Sequence, residues 1–227
     1  MLFTPGLLKQ FCVGTRNQKK LEELYRLLDG IGIDLVVPPE DVPEPDEPYD
    51  SFASNAMWKA WLYAKVVGVP VFAEDSGIVV PALSRRFGFP FPGVYSARLC
   101  LFNIIDGKLR DFGLERVPPE DRALVNNRLL RALMTGLRGE DRHAYYVASI
   151  AVVRPDRALL YDQECSSIPG EIITERRGDN GFGYDPIVFV PRVGKTYAEM
   201  TDEEKDVISH RGKAMRHFAA WLRDMSL

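Results

Sequence analysis

Three short apolar segments alternate with two helical stretches in the first third of the chain, and this order restricts the fold more than any other feature. The apolar segments lie at 8–14, 33–37 and 69–80. The first helical stretch begins at Lys19, and the second runs from a predicted N-cap at Ser51 to about residue 67. Helices placed between strands are typical of an α/β protein, in which they cover the faces of a sheet. Within 69–80, the acidic pair is predicted to form a turn between two apolar runs.

A second group of apolar segments predicts a meander of strands at 144–153, 158–164, 170–175 and 187–190. Further helices are predicted at 97–106, at 121–137 and from about Ser209 to Met225, whereas prolines and glycines exclude a helix at 85–93. The sequence therefore predicts a three-layer α/β architecture with a mixed central β-sheet flanked by helices. No linker divides residues 1–227, which we expect to form a single domain of two lobes with the active-site cleft between them.

Composition excludes several classes of partner. Hydrophobic residues make up 46% and charged residues 27% of the 227 residues, as in ordinary globular proteins. The net charge of −3 provides no general attraction for nucleic acid, so a polyanionic ligand would need a local cluster of Lys and Arg. Three widely spaced cysteines form neither a disulfide framework nor a zinc pattern, and no apolar run approaches the roughly 18 residues of a membrane span. We expect a cytoplasmic protein that binds neither nucleic acid nor membrane.

The first candidate motif is the predicted strand–turn–helix at 11–24, FCVGTRNQKKLEEL. A helix N-terminus presents unpaired N–H groups and partial positive charge, to which Thr15 and Asn17 add donors and Lys20 adds a full charge. A triphosphate would require such a set, although the glycine spacing is not that of a Walker motif. The alternative is that Thr15 or Asn17 only caps the helix and Lys20 lies on its solvent face.

The second candidate motif is AEDSG at 73–77, in which two carboxylates are adjacent. If the strand continues that far, Glu74 and Asp75 point to opposite faces and can serve different roles. A carboxylate at a strand end can hold Mg²⁺ or take a proton from water. Gly77 permits close approach of the backbone to a ligand. The alternative is an acidic turn capped by Ser76.

Two later motifs could contact a flat, anionic ligand. In GDNGFGYDP (178–186), glycines flank Phe182 and leave ring faces uncovered for a base to stack on, unless the segment is a hairpin turn with a core Phe. In EEKDVISHRG (203–212), Lys205 lies in a predicted short polar helix. The pair His210-Arg211 begins the last helix, where it could donate to a carbonyl oxygen or a phosphate, or could be structural.

Taken together, these motifs resemble the inosine/xanthosine triphosphate pyrophosphatase family from about Phe11 to His217. The resemblance rests on TRNQKKLEEL, SNAMWKA, AEDSGIVVPAL, FPGVYSAR, GDNGFGYDP and KTYAEMTDEEKDVISHRGKA. It implies a homodimeric enzyme that uses Mg²⁺ to cleave the purine nucleoside triphosphates ITP, dITP and XTP to the monophosphate and pyrophosphate.

The resemblance also implies a role for each motif. Asp75 would bind the metal and activate water, with Ser76 contacting the substrate and Glu74 alongside. A second metal ligand would come from Glu40 or Glu44. The triphosphate would be bound by Thr15, Asn17, Lys20 and Lys59. The base and the sugar side would be held by Phe182, Gly183, Tyr184 and Asp185. The purine would be read, and phosphate binding helped, by Lys205, His210 and Arg211.

The sequence departs from the family pattern at three places. Arg16 replaces the usual Gly of TGN, Ser54 replaces the usual Glu of ENA, and Glu74-Asp75 replaces the commoner Asp-Asp. Two rival functions follow from the same residues. One is the related fold that hydrolyses pyrimidine or thymidine triphosphates, which lacks the SHRG and FGYD segments. The other is a non-catalytic nucleotide sensor.

Overall fold

The computed structural model describes residues 9–105, 108–111 and 117–225, with side chains described outside 103–116. Its helices are α1 (Gln18–Leu27), α2 (Phe52–Val67), α3 (Pro81–Phe87), α4 (Arg122–Leu133), α5 (Asp202–Ile208) and α6 (His210–Met225). Its strands are β1 (Gln10–Val13), β2 (Asp34–Val36), β3 (Val71–Val79), β4 (Phe102–Ile105), β5 (Lys108–Asp111), β6 (His143–Val153), β7 (Leu159–Ser166), β8 (Gly170–Ile172), β9 (Val188–Val190) and β10 (Lys195–Thr196).

An eight-stranded sheet has the order β10-β9-β8-β6-β3-β1-β2, with β7 paired to β6. Strand β1 is parallel to both β2 and β3, because helices α1 and α2 carry the chain back between these strands. The β6–β8, β8–β9 and β9–β10 pairs are antiparallel. Strands β4 and β5 form a separate antiparallel pair. The predicted mixed sheet flanked by helices is therefore confirmed.

The chain divides into two compact units. The first unit contains the chain up to Asp75, Ala148–Cys165 and the chain from His210 onwards. The second unit contains Ser76–Val147 and Ser166–Ser209. The unit boundaries fall within β3, β6 and β7 and between α5 and α6.

The first unit is built in three layers because alternate strand residues face opposite sides. On one face, Phe11 of β1 and Phe72 of β3 pack with α1 and with Phe218 of α6. On the other face, Cys12 and Val71 pack against the small and aromatic residues of α2. The side chains at both contacts with the sheet are largely apolar and buried, so the parity of each residue along β3 decides which helix it meets.

The second unit has its own core, in which α3, α4 and the 3₁₀ segment Gly93–Leu101 contribute apolar side chains. Strands β8 and β9 and the turn before β9 complete this core. Tyr184 and Tyr197 are among its buried aromatic residues. The loop of the GDNGFGYDP motif is thus anchored in the apolar interior of this unit.

Several predicted elements have to be corrected. The acidic turn predicted in 69–80 is wrong, because β3 runs unbroken through Glu74 and Asp75, whose partners compensate their burial. The helix predicted at 97–106 is wrong, since a 3₁₀ segment ends at Leu101 and β4 follows. The exclusion of helix at 85–93 fails at its start, because Pro81 suits the first turn of α3 and the helix continues to Phe87. Residues 8 and 106, the ends of two predicted segments, lie outside the described residues.

The predicted start of the long helix is confirmed. Ser51 is the N-cap of α2, and its hydroxyl accepts a hydrogen bond from the Ser54 N–H. Gly68 ends α2 in the left-handed conformation, with φ of 71°. In the part of the chain that the structure describes, each helix is too short or too polar to cross a membrane.

Candidate active site

Two adjacent carboxylates in the middle of β3 lie on opposite faces of the strand, as the sequence predicted for a continuing strand. Glu74 shares the parity of Phe72 and faces α1 and α6, whereas Asp75 shares the parity of Ala73 and faces α2. Both residues are buried, at 1% and 4% exposure. Because a buried carboxylate needs compensating charge or donors, each is expected to have dedicated partners, and each has them.

Glu74 is paired with a buried arginine. The Arg211 guanidinium donates from Nε to Oε2 at 2.8 Å and from Nη2 to Oε1 at 2.6 Å. Its Nη1 donates to the Oε2 of Glu23, which α1 supplies. Burial alone would raise the pKa of Glu74, but the charges of Arg211 and then Lys20 outweigh it and hold that pKa well below its usual range. Glu74 is therefore an ionised carboxylate at neutral pH, held by the bidentate fork of Arg211.

Lys20 lies in the first turn of α1 and points inward. Its Nζ is 3.8 Å from Oε1 of Glu74, and its side chain is only 15% exposed. The alternative that placed Lys20 on the solvent face is therefore wrong. Burial lowers the pKa of Lys20, and the charge of Glu74 opposes that shift. Asn17 caps α1 by accepting from the Lys20 N–H at 3.2 Å, and Thr15 Oγ1 accepts from the Asn17 N–H.

Asp75 has a different environment on the α2 face. Asn55 donates from Nδ2 to Oδ2 at 3.0 Å, and the Lys59 ammonium is 3.8 Å from Oδ1. Burial raises the pKa of Asp75, the charge of Lys59 opposes the rise, and the charge of Glu47 supports it, which leaves the pKa at about 6. A carboxylate with a pKa near neutrality can both accept and release a proton.

Lys59 connects three oxygen atoms of this face. Its ammonium donates to Oε1 of Glu47 at 2.6 Å and to the backbone carbonyl of Glu74 at 2.9 Å, besides its ion pair with Asp75. Burial would lower the pKa of Lys59, but the charges of Asp75 and Glu47 raise it above its usual value. Lys59 therefore stays charged in the buried cluster. Asn55 and Lys59 share a helix face because they are four residues apart.

The sequence did not identify Asn55, Glu47 or Glu23 as functional residues. The i, i+4 spacing in SNAMWKA could have linked Asn55 to Lys59. Glu47 lies in the Pro-rich acidic segment, where no periodicity distinguishes it from Glu40 and Glu44. Those two predicted metal ligands are both exposed, whereas Glu47 is half-buried beside Lys59.

Arg16 and Ser54, two departures from the family pattern, have structural partners. The Arg16 guanidinium donates to the backbone carbonyls of Pro39 and Val42 and, at 3.4 Å, to that of Glu40. It therefore ties the Pro-rich segment to the turn after β1. Ser54 is exposed and accepts a hydrogen bond from the Ser51 hydroxyl at 2.8 Å. It lines an open groove of about 440 Å³ with Tyr49, Ala53, Met57, Trp58 and Trp61.

In the second unit, the Asp185 carboxylate accepts hydrogen bonds from three groups. The Tyr146 hydroxyl donates to Oδ1 at 2.9 Å, while the Lys205 ammonium and the Phe182 N–H donate to Oδ2 at 2.8 and 3.0 Å. The Lys205 ammonium also lies 5.1 Å from the centroid of the Phe182 ring. The predicted residues Phe182, Asp185 and Lys205 are thus brought together. Tyr146, which the sequence marks only as part of an apolar strand, joins them.

Tyr184 has a structural position. Its ring belongs to the core of the second unit, and its hydroxyl donates to the Ser96 carbonyl at 2.8 Å. Gly183 adopts a φ of 61°, and its carbonyl accepts from the Asn127 amide at 2.8 Å. Phe182 is the half-buried aromatic residue of this motif. The ring that can meet a base is therefore that of Phe182.

Ser76 and His210 complete the predicted set. Ser76 is half-buried on β3 and belongs to the second unit. His210 begins α6 in the first unit and is 7% exposed, and its charge would contribute to lowering the pKa of Glu74. Among the described residues, the structure shows no cluster of three or more His, Cys, Asp or Glu side chains arranged to hold a metal ion.

Fold and charge together define a class: an α/β protein that gathers buried carboxylates and lysines near a helix N-terminus, an arrangement suited to a polyanion. Comparison with known sequences identifies the family. The sequence model of the Ham1 family matches residues 11–221, and the chain belongs to that family. A dITP/XTP pyrophosphatase of Symbiobacterium thermophilum is 41% identical over 208 residues, which cover 91% of each chain. One from Aromatoleum aromaticum is 39% identical over 214 residues, 92% of this chain and 94% of the relative.

Solved structures agree with the sequence relatives. A HAM1 protein from Coxiella burnetii superimposes with a TM-score of 0.75 at 30% identity, over 95% of this chain and 98% of that chain. A nucleoside-triphosphatase/dITP/XTP pyrophosphatase from Mycobacterium abscessus gives a TM-score of 0.65 at 36% identity, over 92% of this chain and 98% of that chain. The similarity thus extends over nearly the whole length of the protein.

Proposed function

We propose that this protein hydrolyses non-standard purine nucleoside triphosphates such as ITP, dITP and XTP to the monophosphate and pyrophosphate. The observation that carries the proposal is Asp75, a buried carboxylate with a pKa of about 6 beside Lys59 and Glu47. Lys20 supplies further positive charge from the first turn of α1. Relatives that share 34–41% of their residues with the chain are named dITP/XTP pyrophosphatases, which supports the same reaction class.

The donor set of the first unit fits Mg²⁺. Mg²⁺ is usually held by one or two carboxylates together with waters and substrate phosphates, rather than by a cage of protein ligands. Asp75 and Glu47 provide two such carboxylates, which Lys59 now bridges. They are the pair that we propose to hold the metal, while Glu40 and Glu44 stay predictions. When bound, the ion would neutralise charge on the phosphate oxygens.

The chemical step follows from the positions of the side chains. Asp75 would accept a proton from a water molecule as the water oxygen bonds to the α-phosphorus. The bond from that phosphorus to the bridging oxygen then breaks, and pyrophosphate leaves with the electron pair. Asn55 fixes the orientation of Asp75, and Lys59 holds positive charge beside it. Thr15, Asn17 and Lys20, at the start of α1, would contact the phosphates.

The base would be recognised in the second unit. Phe182 offers a ring face, and the Lys205 ammonium beside it can donate to the 6-oxo oxygen of hypoxanthine or xanthine. Adenine presents an amino group at that position. Two hydrogen-bond donors, this amino group and the Lys205 ammonium, would then face each other with no acceptor between them. A polar site of this type discriminates between such bases by a factor of about 10⁴ or more in kcat/KM. The role of His210 in reading the purine stays a prediction.

The contacts of Arg211 support a different role for this residue from the one that the resemblance implies. Its guanidinium is 2% exposed and donates to Glu74 and Glu23 through three nitrogens. We propose that it holds Glu74 in place rather than contacting the purine. The homodimer and the cytoplasmic location are further proposals that rest on the resemblance, and light scattering of the purified protein would test the first.

A substrate panel tests the proposed function. The purified protein is incubated with Mg²⁺ and ITP, XTP, dITP, GTP, ATP or dTTP, and pyrophosphate and orthophosphate are assayed separately. We expect pyrophosphate from ITP, dITP and XTP and little from ATP or dTTP. Orthophosphate as the product would place the attack at the γ-phosphorus and contradict the role of Asp75. Turnover of dTTP alone would indicate the pyrimidine-directed rival, and binding without turnover would indicate a sensor.

Asp75→Asn tests the assignment of the base. We expect kcat of this variant to be roughly 10²–10⁴-fold lower than that of the wild type, because the amide cannot accept the proton. The control is Asp156→Asn, which changes an exposed carboxylate that pairs with Arg154 in the turn after β6. Near wild-type turnover by the Asp75 variant would contradict the mechanism.

A further inference from the structure

The Asp185 carboxylate accepts hydrogen bonds from two residues to which the proposed function assigns the base, Lys205 and Phe182. Its Oδ2 accepts from the Lys205 ammonium and from the backbone N–H of Phe182. A rotation of this carboxylate would therefore move the ammonium and the ring together. Asp185 is 4% exposed and Lys205 is 5% exposed, so solvent is largely excluded from the pair. The orientation of the carboxylate must be set by its remaining oxygen, Oδ1.

Tyr146 donates to that remaining oxygen from a rigid position. Its hydroxyl lies 2.9 Å from Oδ1 of Asp185. Its backbone N–H donates to Ser167 Oγ at 3.0 Å, and its carbonyl accepts from the Ser167 N–H at 2.9 Å. Its ring packs edge-on against Tyr197 at a centroid distance of 5.4 Å. Strand β6 therefore fixes the hydroxyl relative to the core of the second unit.

The hydroxyl also keeps its proton at neutral pH. Burial raises the pKa of Tyr146 well above its usual value, and the charge of Asp185 raises it further. The hydrogen bond thus has one direction, from Tyr146 to Asp185. A fixed donor to one oxygen, with an ammonium and an N–H on the other, leaves the carboxylate a single orientation.

We propose that Tyr146 is a positioning residue for purine selectivity, which acts by fixing the Asp185 carboxylate and thereby the Lys205 ammonium against the Phe182 ring. The proposal rests on the proposed function, because it concerns the binding of a base with a 6-oxo group. Tyr146 has no role in binding the phosphates or in contacting the reacting atoms. Its effect is therefore expected in substrate affinity and base choice rather than in the chemical step.

The test is Tyr146→Phe, which keeps the ring and removes the hydroxyl. Loss of one hydrogen bond to a charged group changes an equilibrium constant by about 10–150-fold, and only the part that reaches the bound base appears in KM. We expect KM for ITP to rise about 3–30-fold, kcat to change less than about 2-fold, and the preference for ITP over ATP to fall by a similar factor. Tyr161→Phe is the matched control, since Tyr161 lies on β7 beside β6 in the first unit and its change should leave these ratios unaltered.

A double variant separates positioning from a general structural effect. Once Asp185→Asn has removed the carboxylate, adding Tyr146→Phe should cause little further loss of selectivity, because Tyr146 acts through Asp185. Additive losses, or a fall in kcat at constant KM, would overturn the proposal. If the wild type hydrolyses no triphosphate, the proposed function fails, and calorimetry with IMP then decides: weaker binding by Tyr146→Phe supports the positioning role. Equal binding, or no IMP binding by the wild type, overturns it.

Discussion

Replacing Arg211 with methionine should destabilise the first unit strongly. The methionine keeps much of the aliphatic volume of arginine but leaves Glu74 and Glu23 buried without their shared cation. Arg211 makes hydrogen bonds through three nitrogens and is 2% exposed, so solvent cannot take its place. Removing one partner of a buried ion pair costs about 3–5 kcal/mol. For a chain of this length, that loss lowers Tm by about 6–20 °C.

Urea denaturation followed by tryptophan fluorescence measures this loss in the relevant unit. Trp58, Trp61 and Trp221 are the three tryptophans of the sequence, and all belong to the first unit. The control is Arg85→Met, which breaks a pair of similar length, 2.7 Å, between side chains that are 68% and 50% exposed. An exposed pair contributes about 0–1 kcal/mol. A loss for Arg211→Met no larger than that of the control would refute the buried, structural role.

The pH dependence gives a second readout of the same substitution, measured with a chelator present. In the wild type the pKa of Glu74 lies below its unfolded value of about 4.3, so the pairing is fully stabilising above that pH and is lost as pH falls towards the folded pKa. Without Arg211, burial should raise the folded pKa above about 4.3, and proton uptake then stabilises the variant as pH falls. The loss of unfolding free energy caused by Arg211→Met should therefore be larger at pH 8 than at pH 5. A deficit that is constant with pH would contradict the role of Glu74.

Other predictions separate the two aromatic residues of one motif and test a buried thiol. Phe182→Ala should raise KM for ITP about 5–150-fold, because stacking on a base contributes about 1–3 kcal/mol. Tyr184→Phe should lower the free energy of unfolding by about 0.5–1.5 kcal/mol with KM within about 2-fold of wild type, since it removes one of the two hydrogen bonds that the Ser96 carbonyl accepts and Asn126 still donates the other. Steady-state kinetics and denaturation distinguish these results, and the reverse pattern would contradict the placement of the rings. Cys12 should resist iodoacetamide at pH 8 until the protein is denatured, because burial raises its pKa to about 11. Peptide mass spectrometry measures this, with the half-buried Cys100 as the internal comparison.

The period of two along a strand predicted the separation of Glu74 and Asp75 correctly, because strand geometry is local. The same holds for the caps at Ser51 and Asn17, whose partners lie three residues away. The ion pair of Arg211 with Glu23 could not be predicted in this way, since 188 residues separate the partners and only the packing of α1 beside α6 brings them together.

Predictions that rested on residue type alone were wrong or incomplete in three segments. The segment 97–106 has enough apolar residues for a helix, yet Gly93–Leu101 forms 3₁₀ turns whose Ser96 and Cys100 backbone groups bond to Asn126. Glu47 was indistinguishable from its acidic neighbours because the Pro-rich segment has no periodicity. Tyr146 was hidden within the apolar run AYYVASIAVV, where a tyrosine is normally only a strand former.

The continuity of β3 makes its length as important as its residues. Alternation along this strand assigns the two adjacent acids to different tasks: Glu74 is a fixed anion beside Arg211, and Asp75 is the carboxylate that titrates near neutrality. Inserting one residue between Val71 and Ala73 would rotate both acids to the wrong faces while leaving every side chain of the motif in the sequence. The number of residues between the start of β3 and the two acids should therefore be the same in every active relative or designed variant. Exchange of Asp and Glu at either position should disturb the site less than a change in strand length.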